Sequence, residues 1–192
     1  MERVFLRNKM QQYIYDQEKI WVQRINPYVE GKVLKVGSGL GYMTSFIRRA
    51  HPDITVLETR LNSKDPNQDI VQVYDGINFP YDVNNFDCAI STLVLHHTPQ
   101  PTKLIHEMAR VSKRIVIFEE TYTNTFSKID LCARDIYVNT LAGQPSRIYW
   151  RSYFQEDHLI ETLKRLNMHI VFSIKEPKRS YFKQLYVLEK EK

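Results

Sequence analysis

Cysteine is scarce in this chain: two residues among 192, at positions 88 and 132. Their spacing matches no ligand pattern, and two thiols cannot build a disulfide framework, so a reducing, cytoplasmic setting is the expectation. Six Gly and eight Pro are too few for a fibrous or low-complexity chain. No apolar run approaches the ~20 residues that a membrane-spanning helix needs. The N-terminal stretch from Met1 to Met10 lacks the apolar centre and small-residue cleavage site of a secretory leader. Neither sign of charge dominates, with 27 Lys plus Arg against 22 Asp plus Glu and a net charge of +5. The cations are scattered, and the densest patches, Lys175 to Lys183 and Arg147 to Arg151, are short. A nucleic-acid partner would call for a cationic stripe, so the surplus reads as a solvated surface. What remains is ample core material: 43% hydrophobic residues, 12% of the chain aromatic. At this length residues 1–192 are expected to form a single domain.

Apolar residues at Met10, Ile14, Trp21, Ile25 and Tyr28 recur in helical steps, predicting an amphipathic helix over Arg7 to Val29 that Asn26-Pro27 and Gly31 terminate. Downstream, short β-type runs alternate with helical stretches. Val33 to Val36, Ile54 to Leu57, Ile70 to Tyr74, Phe86 to Thr92 and Ile115 to Phe118 read as strands. Tyr42 to Ala50 and Pro101 to Val111 read as helices, the latter with Pro in its first turn and a stripe of Leu104, Ile105, Met108 and Val111. Such alternation predicts a parallel sheet covered on both faces. The last third differs. A helix is marked by Phe126, Ile129, Ala133, Ile136 and Thr140 and bounded by Gly143 and Pro145. Ser152 to Gln155 resembles a capping box opening a helix through Leu159, Leu163 and Leu166. Two strands, His169 to Ile174 and Tyr181 to Leu188, follow with a connection short enough for an antiparallel return, so the sheet is expected to be mixed.

The chemistry-bearing signal is Gly37-Ser38-Gly39-Leu40-Gly41, between a strand and a helix. Glycine there permits positive φ and close approach of a ligand to the backbone. The spacing differs from the dinucleotide fingerprint, because Tyr42 stands where its third Gly belongs, and no Lys-Ser/Thr follows as in a phosphate loop. By itself the triplet is equally a tight strand-to-helix turn. Two acids add to it. Glu58 closes the second strand, where an α/β nucleoside site needs a carboxylate for ribose hydroxyls, and Asp75 closes the third, placed for an adenine amino group. Either acid alone also reads as a solvated strand end.

Val33 to Gly41 resembles the first motif of class I S-adenosylmethionine-dependent methyltransferases. Asp75 to Tyr81 and then Phe86 to Ser91 are similar to the corresponding segments of the small-molecule type 11 group. Leu93 to His97 and Leu104 to Lys113, with Glu107, Arg110 and Val111, continue the likeness, which covers residues 30–120. The resemblance implies a Rossmann-like α/β fold: a seven-stranded mixed sheet with its last strand antiparallel and helices on both faces. It implies S-adenosylmethionine as cofactor, held at Gly37, Ser38 and Gly39 by its methionine part, at Glu58 by its ribose, at Asp75 and Gly76 by its adenine, with Ser91 or Thr92 beside the sulfonium. The division expected is an N-terminal helix over 1–30, a cofactor core over 31–119, a helical lid insertion over 120–153, and a C-terminal helix and strands over 154–192.

The chain departs from the family pattern at three places. Lys35 stands where an acid is usual, which adds like charge beside a cationic cofactor. The stretch from Thr59 to Asp69, with Asn62, Asp65, Pro66 and Asn67, is too broken for the usual helix. Ser112-Lys113-Arg114 replaces the common Pro-Gly-Gly turn. For acid–base work His96 and His97 are the candidates, although a backbone-bonded helix-entry histidine fits as well, and neither a partner acid nor further metal ligands are legible near them. No metal is therefore expected. Arg147, Tyr149, Trp150, Arg151 and Tyr153 either cap an acceptor or pack the extra helix, and Tyr13 and Tyr15 either close the cofactor site or pack a helix face. The leading function is methyl transfer to a small-molecule acceptor. The alternative is a degenerate member of the fold that binds a ligand or protein partner without catalysis.

Overall fold

A computed structural model describes residues 2–60, 65–144 and 147–191. The chain opens with α1 (Glu2–Ile25), whose last turns alone are buried, through Trp21, Val22 and Ile25. Asn26–Tyr28, with Pro27, tightens into a 3-10 turn rather than prolonging the helix. Next come β1 (Val33–Val36), α2 (Tyr42–Arg48), β2 (Thr55–Glu58), β3 (Val71–Val73), β4 (Phe86–Thr92) and α3 (Pro101–Val111). Then follow β5 (Ser112–Tyr122), α4 (Thr125–Ala142), β6 (Phe154–Gln155), α5 (Glu156–Lys164), β7 (His169–Pro177) and β8 (Phe182–Glu189).

The strands form one mixed sheet in the order β3-β2-β1-β4-β5-β8-β7, with the two-residue β6 added beside β5. β8 runs antiparallel to both its neighbours, and the other pairings are parallel. The α/β mixed sheet is thus as expected, with β6 as an eighth, minor strand. Parallel strands covered on both sides alternate their residues between two cores. Leu34, Val36, Ile115 and Ile117 meet α3 and α5, while Val33, Ile90, Val116 and Phe118 meet α1 and α2. Trp21 stacks on Phe118 with ring centroids 3.9 Å apart, and Arg24 pairs with Glu176 of β7. Those two contacts seat the end of α1 on the sheet.

Two local expectations are corrected. β5 does not stop at Phe118 but continues to Tyr122, because β8 pairs with it as far as Thr121 and β6 joins at Thr121 and Tyr122. Glu119 and Glu120 therefore lie inside a strand and are buried. The capping box forms at α4 instead of Ser152: Ser127 N donates to Asn124 Oδ1 and Asn124 N donates to Ser127 Oγ, both at 3.0 Å. Ser152 sits in a 3-10 turn, and α5 starts at Gln155 without a side-chain cap, its first turn carrying Glu156 and Asp157. α3 passes directly into β5, with Ser112 Oγ donating to the Met108 carbonyl at 2.7 Å. Between β2 and β3 the described residues hold only a 3-10 turn, Gln68–Ile70; Asn62, like Pro145 after α4, lies outside the described residues.

Glu107 and Arg110 of α3 have a structural task. Glu107 Oε2 accepts from Phe79 N at 2.8 Å, while Arg110 donates to the carbonyls of Tyr81 (2.7 Å) and Phe79 (3.0 Å) and pairs with Glu107. They pin the segment that follows Asp75-Gly76. The Arg110 guanidinium holds the Glu107 carboxyl below its ordinary value, so the stability this group contributes is present above that ordinary value and is lost as pH falls through the lowered one. Arg110→Ala is expected to cost about 2 kcal/mol in urea unfolding at pH 7, with the gap narrowing in acid as pH falls through the lowered value of Glu107.

Candidate functional site

Because β1, β2, β3, β4 and β5 are parallel, the segments leaving them share one edge of the sheet, where open α/β sheets bind ligands. The turn after β1 is made possible by glycine. Gly37 has φ +75° and its N–H donates to the Leu57 carbonyl at 2.9 Å, while a Cβ there would stand 2.4 Å from Val94 Cγ2. Gly41, at φ +82°, caps α2, and a Cβ would collide with Asp65 at 2.3 Å. At Gly39 (φ +61°) a Cβ would meet no described residue within 4 Å.

Glu58 reaches back to this turn: its Oε1 accepts from the Ser38 N–H and from Ser38 Oγ at 3.1 Å. Asp75 closes its own loop, Oδ1 accepting from Ile77 N and Asn78 N at 2.7 Å and Oδ2 from Asn78 Nδ2 at 2.9 Å. These bonds, those to the Asn78 and Ile77 amides foremost, hold its carboxyl below the usual range. Gly76 follows at φ +82°. Ser91 is fully buried at the end of β4, and its Oγ has no hydrogen-bond partner among the described residues; Thr92 beside it is half-buried. Asp65 Oδ2 is another of the five buried side-chain oxygens without such a partner, the rest being Asn26 Oδ1, Thr44 Oγ1 and Thr121 Oγ1.

Lys35 is the unusual member. Strand alternation puts it on the side of Val33, facing α1 and α2, and it is 1% exposed. Its ammonium donates to the Gly37 carbonyl. Burial pulls its proton affinity down, while the carboxylates of Glu18, Glu58 and Asp65 act against that. Glu18 comes from α1 and accepts from Met43 N at 2.5 Å; burial pushes its carboxyl up, against the pull of Lys35.

His96 and His97 stand in a 3-10 turn (Leu95–His97) after β4. The fold brings to them the acids that their surroundings in sequence do not reveal. Glu119 Oε1 lies 2.6 Å from His96 Nδ1, and Glu119 Oε2 accepts from Leu95 N at 2.9 Å. Asp135, from α4, places Oδ1 3.7 Å from Nε2 of both His96 and His97. Tyr153 donates to Asp135 Oδ2 at 2.8 Å and stacks on His96, ring centroids 5.0 Å apart. Burial by itself would depress His96; Glu119 and Asp135 outweigh it and raise it to about 10. Burial and the neighbouring His96 lower His97 to about 4. No further ligand is legible in the sequence beside these histidines; the fold places Asp135 there, and His96, His97 and Asp135 carry ligand-type atoms that all lie within 4.8 Å of one another.

Of the aromatic candidates, Tyr153 is buried in this cluster, whereas Trp150 is half exposed with the Lys128 ammonium over its ring. Tyr15 packs edge-on against Tyr42 at 5.4 Å, and Tyr13 is exposed. Glu18, Glu119 and Asp135 are the site residues that sequence reasoning missed. The run of Glu119-Glu120 at a strand end was the signal available for one of them.

Residues 34–118 match the family model described as a methyltransferase domain. No curated protein matches the chain. Among solved structures, a SAM-dependent methyltransferase from Methanosarcina mazei superposes with TM-score 0.60 at 16% identity, over 86% of this chain and 96% of that one. Geranyl diphosphate C-methyltransferase from Streptomyces coelicolor, in complex with S-adenosyl-L-homocysteine, does so with TM-score 0.68 at 10% identity, over 96% and 83%. The cyclase SpnF has TM-score 0.62 at 14% identity, over 94% and 82%. These likenesses establish the fold.

Lys35→Met, which keeps the length and removes the charge, leaves Glu18 without its cation. Removing a buried cation from the field of this half-buried carboxylate, without breaking a direct ion pair, is expected to cost about 2 kcal/mol at pH 7. A carboxyl raised by burial destabilises as pH rises above its unfolded value, so the deficit shrinks toward pH 5. Thermal unfolding of both proteins across that range checks the size and the trend.

Proposed function

With residues 34–118 matched to the methyltransferase-domain family and the chain folded as class I S-adenosylmethionine-dependent methyltransferases are, we propose that this protein transfers a methyl group from S-adenosylmethionine to a small-molecule acceptor. The observation that carries this is the gathering of Gly37–Gly41, Glu58, Asp75-Gly76 and the unpartnered Ser91 Oγ on the exits of four adjacent parallel strands. The residues fit the cofactor in two respects. No described residue stands within 4 Å of a Cβ at Gly39, and among the described residues two buried oxygens beside the strand exits, Ser91 Oγ and Asp65 Oδ2, lack hydrogen-bond partners. When bound, S-adenosylmethionine supplies a methyl group on a cationic sulfur.

In this reading Gly37, Ser38 and Gly39 receive the methionine end, Glu58 the ribose hydroxyls, and Asp75 with Gly76 the adenine edge, while Ser91 or Thr92 lines the sulfur side. The Asp75 carboxylate is already oriented by Ile77 and Asn78, which limits reorganisation on binding. His97, 26% exposed, is the acid–base group nearest the acceptor, and His96, clamped by Glu119, positions it. Segment 120–153 acts as the lid: α4 and Tyr153 lie against both histidines through Asp135, excluding water from that end. The rate then rests mainly on orientation and water exclusion. Two free, buried thiols suit a reducing cytoplasm, and no helix among the described residues is long and apolar enough to cross a membrane.

One observation favours a second reading, a degenerate member of the fold that binds without catalysing. Lys35 already donates to the Gly37 carbonyl, an acceptor at the place assigned to the cofactor's ammonium end. Titration calorimetry with S-adenosylhomocysteine separates the two. Saturable heat and a rise in melting temperature are expected, since ligand at 100 times its Kd adds about 2.7 kcal/mol. No heat and no thermal shift at millimolar ligand would sink the methyl-transfer reading and leave the second.

A further inference from the structure

We propose that His96 Nε2, His97 Nε2 and Asp135 Oδ1 form a binding site for a divalent first-row transition metal, with zinc as its natural probe. The donor set is the first argument. Two imidazoles and one carboxylate suit such an ion and leave coordination positions open, as in metal sites that bind substrate or water. The spacing is the second. Asp135 Oδ1 stands 3.7 Å from each imidazole Nε2, too far for a hydrogen bond. Ligands about 2.1 Å from a common ion lie about 3.4 Å apart at the tetrahedral angle, so the two His–Asp separations need to contract by only a few tenths of an ångström, and the three donor atoms already lie within 4.8 Å of one another.

The outer contacts are the third argument and the strongest. Metal-bound histidines commonly present their other ring nitrogen to a carboxylate or a backbone carbonyl, and bound carboxylates are themselves hydrogen-bonded. Each ligand here has that support. His96 Nδ1 faces Glu119 Oε1 at 2.6 Å, and His97 Nδ1 faces the Arg147 carbonyl at 3.4 Å. Asp135 accepts from Tyr153 OH at 2.8 Å and from Asn139 Nδ2 at 2.7 Å. With both Nδ1 atoms so engaged, the two Nε2 atoms are the ones that face the same carboxylate oxygen, and a metal ion would take the place of the proton on His96 Nε2. The donors come from the turn after β4 and from α4, so an ion also ties the lid segment to the sheet. An ion held there polarises an oxygen of the acceptor as a Lewis acid, in place of the imidazole; this last step, unlike the site, rests on the methyl-transfer reading.

The test uses tag-free full-length protein, loaded with excess zinc, desalted, and analysed for metal by mass spectrometry. Stoichiometric zinc is expected, together with a rise in melting temperature, and cobalt in its place is expected to give visible d–d absorption. His97→Ala and Asp135→Asn, checked for folding by circular dichroism, are expected to lose at least 10-fold in zinc affinity, while the surface control His158→Ala retains it. Wild-type protein without retained zinc, or folded variants that keep as much as wild type, would overturn the proposal. Zinc binding is measured without cofactor, and S-adenosylhomocysteine binding in EDTA. Zinc retained without S-adenosylhomocysteine binding supports this site while the methyl-transfer reading falls.

Discussion

The ammonium of Lys35 is the point on which the edge of the sheet is organised. It sits at the end of β1 with almost no access to water, donates to the first carbonyl of the glycine turn, and stands in the field of Glu18, Glu58 and Asp65. Those acids belong to α1, β2 and the segment after β2, so one buried charge draws three separate parts of the chain to one place. A buried cation is costly unless such partners converge on it. Glu18 repays its own burial twice, beside Lys35 and on the Met43 amide in the first turn of α2. A helix that is otherwise mostly exposed is thereby fixed against the first turn of α2.

The alternation of elements was legible because each signal is local. Phe86–Thr92 and Pro101–Val111 are found at the bounds that the apolar run and the Pro-led stripe predict. What failed to show was decided across the sheet. The extension of β5 depends on β8, some 60 residues away, so Glu119 and Glu120 resemble a strand end when read alone. The capping box at Ser152 has the right letters, yet Ser152 is drawn into a 3-10 turn with Tyr149, and the box forms where Asn124 and Ser127 stand free to make it.

The site divides along the same line. Gly37 to Gly41, Glu58 and Asp75 were readable because the ligand-binding edge of a parallel sheet lies at strand exits, so position along the chain nearly determines position in space. The acids around the histidines were not. Asp135 lies in mid-helix among residues that read as an amphipathic face, and only the seating of α4 against the turn after β4 turns it toward His96 and His97. Glu18 is hidden in the same way. Long-range charge partners leave no periodic trace, since one carboxylate per helix does not disturb the apolar stripe.

Two clusters thus share one edge, each a nitrogen base surrounded by carboxylates, and their chemistry differs for a simple reason. A lysine ammonium has donors only; once paired with Gly37 and its acids it has nothing further to offer an ion, and its removal leaves bare negative charge. An imidazole that gives Nδ1–H to a carboxylate keeps a lone pair on Nε2. The lysine at the β1 end thus serves as a donor only, whereas the β4 end holds a lone pair that can exchange its partner, because burial and His96 lower His97 to about 4. His97, with a quarter of its side chain open, is the one ring of the pair through which that exchange reaches solvent.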